Sequence, residues 1–306
     1  VSDPITISLA LGSGGARGYA HVGVLRWIEE NGHRVASIAG SSMGALVGGA
    51  YAAGRLDDFE AWARAIRKSD IFGLVDLVFG QSGLVRGERL MEALRAFVDD
   101  TPIEDLPIPF TAVASDVARE TEVWLSRGSL YDAVRASISI PLLFVPHAVE
   151  GRPLQDGGIL APVPVAPTFD RRADVTVAVN LTGPIDEEWV DAHEVPERGE
   201  DDRGAIRRTI DRFLDSLGER ATKRSADDPS LLDTTADVVD AMQGAIARMK
   251  LAAHPADLEL TLPRNAARVL EFDRAHELIE MGRRAAAEQL GPFLATWSRR
   301  RASTTS

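Results

Sequence analysis

The stretch "VASIAGSSMGALVGGAYAAG", residues 35–54, carries no charged side chain. Its length approaches the roughly 20 residues that a helix needs to cross a bilayer. Its composition argues otherwise, because it is rich in Gly and Ser and poor in Leu, Ile and Phe. A short buried strand ("VASIAG"), a tight turn at 40–44 and a closely packed helix ending at Gly54 account for it better. That choice decides the fold: a strand feeding a helix belongs to a layered α/β protein.

The N-terminal neighbourhood repeats the pattern. "ITISLAL" at 5–11 reads as a buried strand and "GSGG" at 12–15 as a turn. A helix is expected from about Ala16 to Asn31, with Ala20, Val24, Leu25 and Ile28 on its inner face and Gly32 closing it. Further helices are expected at about 57–68 and 87–99, the latter with Leu90, Leu94 and Phe97 in register. "IPFTAVASD", "TEVWLS", "DVTVAVNL" and "DLELTL" read as strands, and "SLYDAVRAS" as a short helix stopped before Pro141. "GRPLQDGGILAPVPV" is turn and loop. From 184 to 233 the chain is polar and acidic, which suggests an exposed insertion, mobile or partly helical. A helix at 235–250 is expected to bury Val238, Val239, Met242, Ile246 and Met249. A long helix starts near Asp273, and the tail 298–306 is expected to be disordered. The whole, 1–306, reads as a single domain.

The 306 residues carry 46 acidic and 34 basic side chains, a net charge of −12. Phosphate repels such a surface, so nucleic acid is not an expected partner. The chain has no cysteine, which removes disulfides, thiol nucleophiles and Cys-ligated zinc. The N-terminal stretch lacks a basic n-region, so no signal peptide is read there. A cytoplasmic protein, touching the inner membrane face at most peripherally, is the expectation.

Gly40-Ser41-Ser42-Met43-Gly44 fits G-x-S-x-G, in which a serine sits on a strained strand-to-helix turn with small neighbours. The helix N-terminus behind it favours developing negative charge. The first glycine run does not suit a dinucleotide: Arg17 stands where a third glycine must pack, and no Gly-Lys-Ser/Thr is present. An oxyanion hole is the better use, with N–H groups of Gly14, Gly15 and Ala16 at a helix start and Arg17 adding charge. Met43, directly after the serine, is counted with them. None of the six histidines has a distinctive context for a base. Asp156, beside Gly157 and Gly158, approaches other loops without steric hindrance and gains basicity if desolvated. An ordinary Asp-Gly turn explains it equally well at this level.

Together, "GSGGARG", "HVGVL", "GSSMG", "ASD" (114–116), "RASISIPLLFVP" (135–146) and "DGGILAPVPV" (156–165) give the chain a family resemblance. It resembles the patatin-like phospholipases, close to the bacterial branch similar to the neuropathy target esterase catalytic domain. "FDRAHELIEMGRRAA" resembles that branch's closing helix. One departure is Ser13, where the family often has a glycine. The resemblance implies a three-layer α/β/α fold with a mostly parallel central sheet and helices on both faces. It implies Ser42 as nucleophile, Asp156 as general base and no histidine. Gly14, Gly15 and Arg17 match its oxyanion loop, and Gly40, Gly44, Gly157 and Gly158 its supporting turns. The substrate would be a lipid ester: phospholipid, lysophospholipid or acylglycerol. No metal or cofactor is implied.

Two other readings compete. One is a Ser-Asp-His triad with His254 or His276 as base. The other is a silent adaptor acting through the acidic insertion. "DIFGLVDLVFGQSGLV" at 70–85 reads either as a lid or membrane-docking loop, or as a core helix.

Overall fold

The computed structural model describes residues 4–67, 88–141, 143–169, 173–187 and 231–304. The lid candidate at 70–85 and most of the acidic insertion, with His193, lie outside the described residues.

A six-stranded sheet forms the middle layer. Its strands are β1 (Thr6–Leu11), β2 (Arg34–Ser41), β3 (Phe110–Asp116), β4 (Thr121–Leu125), β7 (Val175–Gly183) and β8 (Leu258–Pro263), in the order β4-β3-β2-β1-β7-β8. Every pair is parallel except β3–β4. A separate hairpin joins β5 (His147–Val149) and β6 (Arg152–Leu154), and the second of these strands falls within the stretch 151–165 expected to be turn and loop.

Alternation along the strands assigns the layers. Leu9 and Leu11 of β1, and Val177 and Val179 of β7, belong to one apolar cluster with α1 (Ala20–Glu30) and the helix Ala275–Ala285 near the C-terminus. Between them, Ala10 and Ala178 belong to a second cluster with Val163, Val165, Ala247 and Leu251. The fold is therefore the three-layer α/β arrangement expected.

Among the described residues the other α-helices are α2 (Met43–Ala52), α3 (Leu56–Ala65), α4 (Glu88–Leu94), α5 (Leu130–Ser137), α6 (Leu231–Ala253), α7 (the Ala275–Ala285 helix) and α8 (Gly291–Thr304). Residues 35–54 are split between β2 and α2. Among the described residues no helix is long and apolar enough to cross a membrane.

Two expectations are corrected. The face of α6 carrying Val238, Val239, Met242 and Met249 points outward: Met242 is 58% and Met249 72% exposed. The buried positions are instead Gly244, Ala247 and Leu251. Gly244 and Ala247 are small, and Gly244 faces Thr182 of β7; apolar periodicity does not reveal which of two such faces a neighbour needs. The tail expected to be disordered is helical as far as Thr304. It is held by Arg301, which pairs with Asp174 at 2.7 Å and lies over Trp297.

Helices α1 and α7 cross in close contact. A Cβ at Gly23 would stand 1.9 Å from the Ile279 carbonyl oxygen, and one at Gly282 1.9 Å from that of Ala20. Backbones must separate to admit a methyl group at either place. Gly23→Ala is expected to lower stability by about 3 kcal/mol, read as a reduced urea midpoint at unchanged slope. A loss below ~0.5 kcal/mol would mean that the two helices slide apart freely.

Topology locates the site. The chain runs from β1 through β2 to β3 on one side, then returns to place β7 on the other side of β1. Ligands of such sheets bind outside the strand carboxyl ends where the order reverses. The loops after β1 and β2 leave from there.

Candidate active site

Ser42 follows the last residue of β2 and precedes the first of α2. Its backbone has φ 55° and ψ −123°, a region costly for any residue with a side chain. The surroundings hold it there. Its N–H donates to Ser137 Oγ (3.0 Å), and that hydroxyl donates to the Val113 carbonyl of β3 (2.6 Å). Glycines clear the space: a Cβ at Gly44 would lie 2.1 Å from the Leu11 carbonyl oxygen, and one at Gly40 2.3 Å from that of Gly44. The turn thus takes the form that the pentapeptide predicted.

Asp156 sits between β6 and a single 3-10 turn, Gly157–Ile159. Its N–H donates to the Ser139 carbonyl (2.9 Å). Oδ1 accepts from the Gly158 N–H (2.7 Å), which fixes the carboxylate. Oδ2 is left for the Ser42 hydroxyl, which donates to it at 2.6 Å. Serine and aspartate are each 2% exposed. Burial pushes the Asp156 carboxyl up to about 7, against the hydrogen bonds from Ser42 and Gly158, which pull it down. A carboxylate with that affinity for protons is a competent base near neutral pH. Gly157 is needed for this approach, since a Cβ there would stand 2.0 Å from the Val113 carbonyl oxygen.

Among the described residues no histidine bonds to Ser42 or Asp156. His254 lies against Phe169, and His276 contacts Arg64. His147 pairs with Asp132. His33 is near the N–H of Ile5. His21 is fully buried, bonds through Nε2 to the Gly12 carbonyl (2.8 Å), and is pushed down to about 4 by burial. The triad reading finds no partner here.

The first glycine run lies beside the elbow. A Cβ at Gly18 would be 2.3 Å from Met43 Cβ, so the two turns are in contact. Gly12 and Ser13 spend their N–H groups on Val179 and Pro162 carbonyls. Gly15 has φ 55°. The N–H groups of Gly14, Gly15 and Met43 have no acceptor among the described residues and can serve an anion. Two members of the expected oxyanion set are used otherwise. The Ala16 N–H donates to the Val269 carbonyl (2.9 Å). The Arg17 guanidinium is buried, 3% exposed, and pairs with Asp240 at 2.5 Å. Its charge is compensated rather than presented to a substrate.

Sequence reasoning missed Ser137 and Ser139 as supports. Both lie in "RASISIP", the only sequence signal for them. Ser139 Oγ donates to the Arg135 carbonyl and accepts from Arg135 Nη1, each at 2.8 Å, which steadies the carbonyl that holds Asp156.

The chain is similar to several known proteins. A family model described as "Patatin-like phospholipase" matches residues 9–169, which include the glycine run, Ser42 and Asp156. An "Uncharacterized NTE family protein" of Mycobacterium bovis is 40% identical, over 94% of this chain and 92% of its own. "Lysophospholipase nte1" of Emericella nidulans is 33% identical over 59% of this chain and 12% of its own length. "Patatin-like phospholipase domain-containing protein 6" of Mus musculus is 31% identical over 58% and 13%.

Proposed function

The chain belongs to the patatin-like phospholipase family, and from that premise we propose that it is a serine acyl hydrolase cleaving carboxylic esters of lipids. The observation that carries the reading is the hydrogen bond from Ser42 Oγ to Asp156 Oδ2 at 2.6 Å, made at a strained elbow.

Ser42 Oγ attacks the ester carbonyl carbon as its proton passes to Asp156. The carbonyl oxygen becomes an oxyanion, met by the N–H groups of Gly14, Gly15 and Met43 at the start of α2. Collapse breaks the ester C–O bond, and Asp156 returns the proton to the leaving alcohol. The acyl group stays on Ser42. Water then attacks, again giving its proton to Asp156. The fatty acid leaves, and the proton goes back to Ser42. Lysophospholipids are the first substrates to try, given the name of the Emericella nidulans relative; diacyl phospholipids and acylglycerols follow. Contact with a bilayer is peripheral in this reading, and the protein works in the cytoplasm.

A fluorophosphonate probe tests the central claim: it is expected to label Ser42, identified by peptide mass spectrometry. Failure to label the protein, with and without lipid vesicles, would remove the reading. A pH dependence follows as well. Only ionised Asp156 takes a proton, so kcat/KM is expected to rise tenfold per pH unit below about 7 and to level off above it. A flat profile from pH 5 to 8 would exclude Asp156 as the base.

A further inference from the structure

Arg17 holds one carbonyl twice. Its N–H and its Nε both donate to the Gly14 carbonyl oxygen, each at 3.2 Å. No peptide bond among the described residues is cis, so the N–H of the Gly14–Gly15 peptide points opposite to its C=O. Holding that carbonyl towards Arg17 turns the Gly15 N–H away from it. Between two glycines a peptide plane has little intrinsic resistance to flipping. A neighbouring group must therefore select the orientation that leaves an N–H available for an anion.

The guanidinium is in turn fixed from outside the loop. Asp240 takes Nη2 on Oδ1 (2.5 Å) and Nη1 on Oδ2 (3.3 Å), a two-pronged contact. Arg264 adds its carbonyl to Nη1 (2.5 Å). Such pairing restricts rotation as well as compensating charge. Asp240 stands on the inner side of α6, 223 residues from Arg17.

We propose that Asp240 is a positioning residue. It orients Arg17, which holds the Gly14 carbonyl and so aims the Gly15 N–H at the developing oxyanion. Its catalytic consequence rests on the acyl-hydrolase reading, whereas its control of the loop does not.

The test compares wild type with Asp240→Asn, which keeps the shape and removes the charge, Asp240→Glu, which keeps the charge, and Met242→Ala, an outward-facing control on α6. Amide hydrogen exchange is followed in peptides covering residues 12–17, and kcat, KM and fluorophosphonate labelling rate are measured in parallel. Asp240→Asn is expected to speed exchange in that loop. It should lower kcat and labelling about 10- to 100-fold with KM within about twofold. Asp240→Glu should recover part of both losses, and Met242→Ala should change neither.

Unchanged exchange at 12–17 in Asp240→Asn overturns the proposal, whatever the activity does. Faster exchange with undiminished kcat and labelling overturns its catalytic half. If wild type neither turns over nor labels, yet exchange responds to Asp240→Asn, the hydrolase reading falls and the link from Asp240 to the loop stands.

Discussion

Ser42→Ala is expected to reduce ester hydrolysis by at least ~10⁴-fold and to abolish fluorophosphonate labelling, because no other group supplies the attacking oxygen. The neighbouring hydroxyl makes a demanding control. Ser41 Oγ is buried without a hydrogen-bond partner, so Ser41→Ala should retain labelling and lose no stability. If Ser42→Ala kept turnover while Ser41→Ala lost it, the nucleophile would be misassigned. A third variant tests the backbone. With φ at 55° and ψ at −123°, residue 42 lies where only glycine rests easily. Ser42→Gly should therefore be as inactive as Ser42→Ala but more stable, by about 1–3 kcal/mol.

The second large effect is at Asp156, where activity and stability should move in opposite directions. Asp156→Asn removes the base and is expected to cost 10²- to 10⁴-fold in kcat. Stability follows from proton linkage. The carboxyl ionises near its ordinary 3.8 when unfolded, but near 7 in the fold. Between those values the folded protein keeps a proton that the unfolded chain has lost. The group's contribution is therefore whole below about pH 4 and disappears as pH rises through 7. Above that a buried charge costs a few kcal/mol, three pKa units being on the order of 4. Asparagine carries no such charge. The variant should therefore be more stable than wild type at pH 8 by a few kcal/mol, and about equal to it at pH 4. Urea unfolding at the two pH values decides the matter: a difference that does not change with pH would show that Asp156 is not held out of water.

The features legible in the sequence were local ones. Strand, glycine turn and helix follow one another within about twenty residues at both "LGSGG" and "GSSMG", and period and turn chemistry report such units directly. The partnership of Ser42 with Asp156 was not legible in that way. The two are 114 residues apart, and Asp-Gly reads as a turn wherever it occurs. Only the resemblance to a family brought them together. Arg17 was misread for a related reason: a cation beside a glycine run suggests an anion, and its true partner lies on a helix near the other end of the chain. The same helix was turned the wrong way round. Its apolar residues mark a face, but the opposite face, with Asp240, Gly244 and Ala247, is the one that Arg17 and β7 require. Ser137 carries no mark as a support for the elbow, because one serine in a helix is like any other until β3 is placed beside it.

The contact between α1 and α7 also bears on how the protein is made. α1 leaves the ribosome well before the backbone it packs against, which belongs to residues 275–285. The glycines at that crossing leave room for no substitute of ordinary bulk. Contacts so distant along the chain are the slowest to close. A nascent chain that has emerged through Asp156 holds both proposed catalytic side chains, but Asp240 and α7 are still to come. In the proposed reading, hydrolytic competence waits for Asp240 and α7, so a chain cut short before them is unarmed beside the cell's own lipids.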